Sequence, residues 1–479
     1  MFCFQRTRRE RVTIFRARTL LYFCSILFIA SVRFTDVAAQ NPAESRVNAA
    51  ERRKIETAFI SSLETSDSTE SAIAVSVNPI QGSSSIDLVR RALASNAQLD
   101  ASRLEIDRAR ARLRQAGLRP NPSVDFERQN GVFNSPGERG TTIGFSAPLE
   151  LAGQRRRRID LAQAELEASE ADVADRERRL ASEVRLAFIE TLAALRELEV
   201  AQSLYALDVE TARVVEARVE EGDAAPLELN LLRAEADRLR ARRALVEGRL
   251  QASAARLKQL VGVAPDQQLQ FREALMSPLL PDPPASLDAA VEIALRSRPD
   301  LRFARLSEAV ALAGYRLVKA QAAPQVTAFV QYSDVLGTFD DTPIGVLSDR
   351  DKLLAFGVSV TLPIFNRNQG AKAEARLAIT QAQRRREFTE SVVRAEVTAA
   401  YRRYEAAQSS VQTYERGVIE RSEQNVQTMR AAYQVGAFRV TELLAEQRRL
   451  VDMQREMTEA LAERYRALAE LRAALGITD

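Results

Sequence analysis

The apolar positions of the chain follow two periods. Val393, Val397, Ala400, Tyr404, Ala407, Val411, Tyr414 and Val418 are spaced alternately four and three residues apart, which is a heptad seam. Its members are mostly small or aromatic, and Arg and Glu flank it heavily. Such helices pack on neighbours yet keep a large wet surface, which suits several helices arranged side by side around water. The lengths agree. Residues 154–221 hold 68 residues without Gly or Pro, about 100 Å of potential helix. Residues 371–435 repeat this with only Gly417 as a break, and residues 437–475 add 39 more.

The second period is two. Ile143, Phe145, Ala147 and Leu149 alternate with Thr142, Gly144 and Ser146. Val326, Ala328, Val330 and Tyr332 behave alike, as do Leu354, Phe356, Val358, Val360 and Leu362. A weaker strand sets Val124 and Phe126 on one face and Ser123, Asp125 and Glu127 on the other. Each segment is about 9–11 residues, the length that crosses a bilayer at a tilt. A half-buried sheet in a soluble domain has the same alternation. Four such strands in an exported chain favour the membrane, and Asp125 and Glu127 would then face a barrel lumen. Four strands cannot close a barrel, because an open edge in lipid leaves backbone groups unpaired. Chains would have to pool their strands.

The pattern occurs twice. Ala92-Leu93 aligns with Ala294-Leu295, and Leu99 with Leu301, at an offset of 202. Pro120 aligns with Pro324 at 204, Pro148 with Pro363 at 215, and Gly222 and Gly262 with Gly436 and Gly476 at 214. A repeat this long is a duplicated domain, not a solenoid. Each copy reads helix, strand, loop, strand, very long helix, Gly turn, long helix. The expected organisation is an export signal (1–39), a disordered lead-in (40–84), a first repeat (85–264), a Pro-rich linker (265–285) and a second repeat (286–479).

Composition narrows the function. The chain contains no His and no Trp. That removes His-based catalysis and the common zinc sites. Neither phosphate-cradling Gly motif is present, so no enzyme activity and no cofactor are expected. The two cysteines, Cys3 and Cys24, lie in the N-terminal segment. A basic start, the apolar run Leu20–Val32 and Val37-Ala38-Ala39 before Gln40 make it a signal peptide. Removing its seven Arg and two acids turns the net charge from +3 to −2, so nucleic-acid binding loses its support. The mature chain also lacks thiolate ligands, and no other stretch approaches a membrane-spanning helix. Arg155–Arg158, directly after a strand, read equally as an anchor at acidic headgroups or as a solvated helix start.

Together, the duplication, two strands per repeat, a Pro at the strand-to-helix junctions (Pro148, Pro363) and a deep Gly turn resemble the TolC-type outer-membrane efflux proteins, over roughly residues 85–476. Val435-Gly436-Ala437 resembles the family's Val-Gly-x periplasmic tip. The first repeat has Glu221-Gly222-Asp223 there, without the Val. Pro148-Leu149-Glu150-Leu151-Ala152-Gly153-Gln154-Arg155 and Pro363-Ile364-Phe365-Asn366-Arg367-Asn368-Gln369-Gly370 are most similar to the CzcC-like heavy-metal branch.

The resemblance implies a mainly α fold with a small transmembrane β part. It implies a homotrimer whose twelve strands form one outer-membrane barrel in lipid, joined to a periplasmic helical coiled-coil barrel. The partners it implies are a periplasmic adaptor, touching the turns at Gly222, Val435 and Gly436, and an inner-membrane pump of the RND type. The protein would be a passive conduit, with heavy-metal cations as cargo. Counted from the turn glycine, the family's first acidic gate position falls on Glu442 and the second on Ala445. That leaves one ring of three carboxylates. A one-turn shift would bring Glu446 inward instead, and an acid near a helix start is favourable in any case. The competing expectations are a duct for drugs or secreted proteins and a structural coiled-coil surface protein.

Overall fold

A computed structural model describes residues 75–130, 138–339 and 347–478. The signal peptide and the lead-in up to residue 74 lie outside the described residues. In chain order the elements are β1 (Val75–Val77), α1 (Ser85–Ser95), α2 (Ala97–Ala116), β2 (Ser123–Asn130), β3 (Arg139–Leu149), α3 (Gln154–Glu220), α4 (Pro226–Val261), β4 (Leu269–Phe271), α5 (Leu287–Ser297), α6 (Pro299–Gln321), β5 (Gln325–Phe339), β6 (Leu347–Thr361), α7 (Gln369–Glu415), α8 (Val418–Gln434) and α9 (Val440–Ala474).

The long helices form because 67 residues of α3 contain no breaker, and they end where glycine allows a left-handed turn. Gly222 (φ 85°) closes the first hairpin and Gly436 (φ 78°) the second. Gly417 (φ 96°) separates α7 from α8. Near the strands, α2, α3, α6 and α7 lie side by side; farther down, α4 packs on α3, α3 on α9, and α9 on α7 and α8. The heptad seam of α7 is buried at Val393, Val397, Ala400, Ala407 and Val411 against α5 and α9.

The duplication is visible at single atoms. Ser95 Oγ donates to Val261 O at 2.9 Å, and its counterpart Ser297 Oγ donates to Leu475 O. Asn96 reaches Leu260 O and Arg298 reaches Ala474 O, both at 3.4 Å. Each repeat thus ties the end of its last helix to its first helix–helix junction. At the strand-to-helix junctions, Gly153 and Asn368 both adopt positive φ. Gln154 and Gln369 each accept a hydrogen bond from the backbone N–H two residues back, at 3.1 and 3.0 Å. Pro148 sits inside β3, paired with Thr327, while Pro363 follows the end of β6 by two residues.

Three sequence expectations need correction. The lead-in read as disordered over 40–84 is ordered from residue 75. Val75–Val77 pairs in parallel with Leu269–Phe271, and Ser84 caps α1 with Asp87 in a reciprocal capping box, worth about 1 kcal/mol. The segment 265–285 is no free linker: Leu269, Phe271, Leu275 and Leu279 are buried in the main core, and Phe271 meets Phe188 edge-on at 4.9 Å. Third, β5 and β6 each run 15 residues, beyond the 9–11 that the apolar alternation marked. In β6 the extra residues Ser348 to Lys352 are polar on both faces, and in β5 Val335 and Leu336 fall on opposite faces before Gly337 and Thr338, so the alternation that flags a strand is lost there while the ladder continues.

Arg155, Arg157 and Arg158 bond within the protein itself. Arg155 donates to Gly117 O, Arg158 to Leu118 O and Glu150, and Arg157 pairs with Asp160. The bonds of Arg155 and Arg158 to Gly117 and Leu118 clamp the end of α2 to the start of α3.

Candidate functional site

Two regions carry the functional geometry: the sheet and the helix tips. The four strands run in the order β2-β3-β5-β6, every neighbour antiparallel. The register aligns the apolar positions across all of them. Phe126, Ile143, Tyr332 and Leu354 form one row, and Val124, Phe145, Val330 and Phe356 the next. Ala147, Ala328 and Val358, then Leu149, Val326 and Val360, complete a band about 20 Å long on one face. Most of these side chains are exposed in the protomer. An apolar face this continuous requires lipid or another chain to cover it.

The opposite face is mainly small and polar. Asp125 and Glu127 lie there, opposite Gly144 and Thr142, and Gln129 donates to Glu127 at 2.9 Å. The same parity places Asp349 and Asp351 on this face, beside Gly337 and Val335. Sequence reading missed both, because the strand was taken to begin at Leu354. Phe329, Val335 and Leu353 are the apolar exceptions. The Phe329 ring lies over Gly357, where any Cβ would come within 2.7 Å of it.

At the other end, the two turns sit on one shared cluster. Val215, Leu229 and Leu232 of the first hairpin pack with Tyr433, Val440, Leu443 and Leu444 of the second. Tyr433 donates to Glu228 at 2.9 Å, and Arg218 lies over its ring at 5.4 Å. Burial and the bond to Glu228 push the Tyr433 hydroxyl up to about 12, so it stays a donor. A Cβ added at Gly222 or Gly436 would meet nothing within 4 Å. Both turns project freely, and Val435 is 81% exposed.

Glu442 is exposed in the first turn of α9, where its carboxylate accepts the Arg439 N–H at 2.9 Å. Glu446 is engaged instead: it takes a hydrogen bond from Asn425 and pairs with Arg449. Ala445 is exposed between them.

Above the tips lies a buried polar layer. Asp208 and Ser422 each stand fourteen residues before their turn glycine, about 20 Å along the helix. Both are buried, as are Glu235 and Gln447. Arg238 and Arg448 bind Glu235. Burial raises Glu235, but these two guanidinium groups outweigh it and hold its carboxyl below the usual range. Among the described residues, Asp208 accepts no such bond. Burial and the nearby Glu235 charge push it up to about 6. Among the described residues, the Ser422 hydroxyl and the Gln447 amide have no hydrogen-bond partner. This layer was not legible from sequence, since its members come from four helices.

Among the described residues there is no group of three or more metal-ligating side chains and no helix long and apolar enough to cross a membrane. Comparison with known proteins gives one picture. The family model for outer membrane efflux proteins matches residues 88–263 and 290–477. The cobalt-zinc-cadmium resistance protein CzcC of Cupriavidus metallidurans is 25% identical over 390 residues, covering 80% of this chain and 88% of that protein. The solved structure of the CusC channel superposes with a TM-score of 0.70 at 20% identity, covering 84% of this chain and 94% of that one. The outer membrane protein VceC of Vibrio cholerae gives 0.65 at 19%, covering 81% and 95%.

Asp208 generates a pH prediction. Its folded pKa lies above the unfolded value near 4, so its stabilisation is present below pH 4 and is lost as the pH rises through about 6. The loss amounts to about 3 kcal/mol at most. Thermal unfolding of the detergent-solubilised protein from pH 4 to 7 should show the wild type losing stability relative to Asp208→Asn across this window. A constant difference between the two would contradict it.

Proposed function

Because the chain belongs to the outer membrane efflux protein family, we propose that it is the exit duct through which a periplasmic adaptor and an inner-membrane pump of the RND type discharge heavy-metal cations. At the coarser level the assignment is direct. The protein is a non-enzymatic channel of the bacterial outer membrane with a periplasmic helical extension. A channel of this kind implies a homotrimer working with an adaptor and a pump.

The observation that carries the cargo is the sorting of charge across the sheet. Asp125, Glu127, Asp349 and Asp351 share the face opposite the apolar band. With the apolar face in lipid, these carboxylates line the lumen, and three copies make the exit attractive to cations. The cobalt-zinc-cadmium resistance relative supports metal ions as those cations. The chain has no His, and both Cys lie in the signal segment, so the duct offers a soft metal no imidazole or thiolate. Selection among ions belongs to the pump.

The free turns at Gly222 and Gly436, with exposed Val435, form the adaptor contact. Glu442 supplies the gate, one carboxylate from each of three chains around the narrow end of the tunnel. Its exposed side chain, which accepts only the Arg439 N–H among the described residues, beside a Glu446 paired with Arg449, supports this choice of register.

Two experiments test the reading. Deleting the gene should sensitise the cell to cobalt, zinc and cadmium. Wild-type protein should restore resistance, and Gly436→Val should not: a left-handed residue with a Cβ costs about 1–2 kcal/mol, and a β-branched one distorts the turn further. Sensitivity to hydrophobic drugs alone would give the duct a different cargo, and full rescue by the variant would remove the tip contact. In a planar bilayer, Glu442→Gln should weaken block by a trivalent cation and lower cation preference. If Glu446→Gln does so instead, the ring lies one turn further on; if neither does, α9 carries no acidic gate.

A further inference from the structure

The apolar band ends, on the side away from the helices, in two rows of charge on the same face. The first row is Arg128, Thr141, Asp334 and Lys352; the second is Asn130, Arg139, Leu336 and Arg350. Four cations and one acid therefore continue the lipid-facing surface. The opposite face of these same strand ends carries Glu127, Asp349 and Asp351 and, among the described residues, no cation. A merely solvated rim would mix the signs on both faces. Here the sign follows the side of the sheet.

We infer that this outward collar binds phosphate-bearing lipid headgroups of the outer leaflet. The inference rests on the reading that the sheet crosses the outer membrane with its apolar face in lipid. Asp334 is already satisfied: Arg350 grips it bidentately at 2.6 and 2.7 Å. Arg128, Arg139 and Lys352 are exposed and, among the described residues, form no salt bridge, although Lys352 stands across the ladder from Asp334 and shares that carboxylate's charge with Arg350. Arg128 and Arg139 stand on neighbouring strands one row apart, about 7 Å along the strand and 5 Å across it, and Lys352 lies three strands from Arg128 in the same row, about 15 Å away. That spread matches a headgroup carrying more than one phosphate, and the arginine fork suits phosphate oxygens. Their position selects the leaflet. The band separates them by about 20 Å from the strand ends that lead into α3 and α7, so the phospholipids of the periplasmic leaflet are out of reach. Lipid chains lying along the band bring their headgroups to the collar.

The test uses the purified full-length protein in phosphatidylcholine vesicles. It is titrated with lipid A bearing two phosphates, with the same lipid dephosphorylated, and with phosphatidylglycerol; bound lipid is read by native mass spectrometry. The diphosphorylated lipid should bind far better than the other two. The triple variant Arg128→Gln, Arg139→Gln, Lys352→Gln should lose about a hundredfold in affinity, since each surface cation contributes roughly fivefold. Asp334→Asn releases Arg350 and should tighten binding severalfold, which keeps the test decisive if the triple variant does not insert. Equal binding of phosphatidylglycerol and diphosphorylated lipid A, or unchanged affinity in both variants, overturns the collar. Wild-type protein that inserts and conducts without lipid preference refutes the collar alone. Wild-type protein that does not insert refutes the membrane reading beneath it.

Discussion

An open sheet edge cannot persist in lipid, and the rest of this structure follows from that. Four antiparallel strands share one apolar face from Phe126 to Val360, yet β2 and β6 each leave a row of N–H and C=O groups without a partner among the described residues. In water such an edge costs little. In hydrocarbon each unpaired group costs several kcal/mol. Only neighbouring copies supply partners at both edges, and the parity allows it: with four alternating strands, β6 of one copy runs antiparallel to β2 of the next.

The helical part inherits this geometry. The long helices follow β3 and β6 directly, through junctions with the same left-handed residue and the same glutamine hydrogen bond in both repeats. Each repeat then returns to lock its last helix against its first, by Ser95 in one and Ser297 in the other. Arg178 adds a link between repeats: buried beside Asp175, it donates to Ala473 O near the end of α9, where a cation also meets the helix dipole. Many other ion pairs join exposed side chains three or four residues apart, worth at most about 1 kcal/mol each, and others run between elements, as Arg103 with Glu177 and Arg403 with Glu463 do. They keep the helices soluble on both sides, as the wall of a water-filled tunnel requires.

What the sequence disclosed was whatever repeats locally. The heptads of α7, the breaker-free length of α3, the turn glycines and the apolar alternation of the strands are all short-range signals, and each appears as an element. The pairing of β1 with β4 was hidden, because three residues at each end of a 194-residue separation leave no periodic trace. The outer parts of β5 and β6 were hidden because neither keeps the alternation: β6 is polar on both faces from Ser348 to Lys352, and β5 puts Val335 and Leu336 on opposite faces. That error also concealed Asp349, Asp351 and the cations opposite them. The layer around Asp208 needed the packing of four helices. The place of Glu442 at the start of α9 was legible from the turn, but the pairing of Glu446 with Arg449 was not.

Disulfide crosslinking between β2 and β6 of neighbouring copies tests the pooled barrel most directly. The chain has no cysteine after Cys24, so introduced pairs in the strands report without background from the sheet. Val124→Cys is combined in turn with Leu354→Cys, Phe356→Cys, Val358→Cys and Val360→Cys, and the protein is oxidised in the outer membrane. One register should close the ring and give a covalent species of three chains under denaturing conditions. Membrane-inserted protein that forms no β2–β6 crosslink between chains at any register would contradict the account.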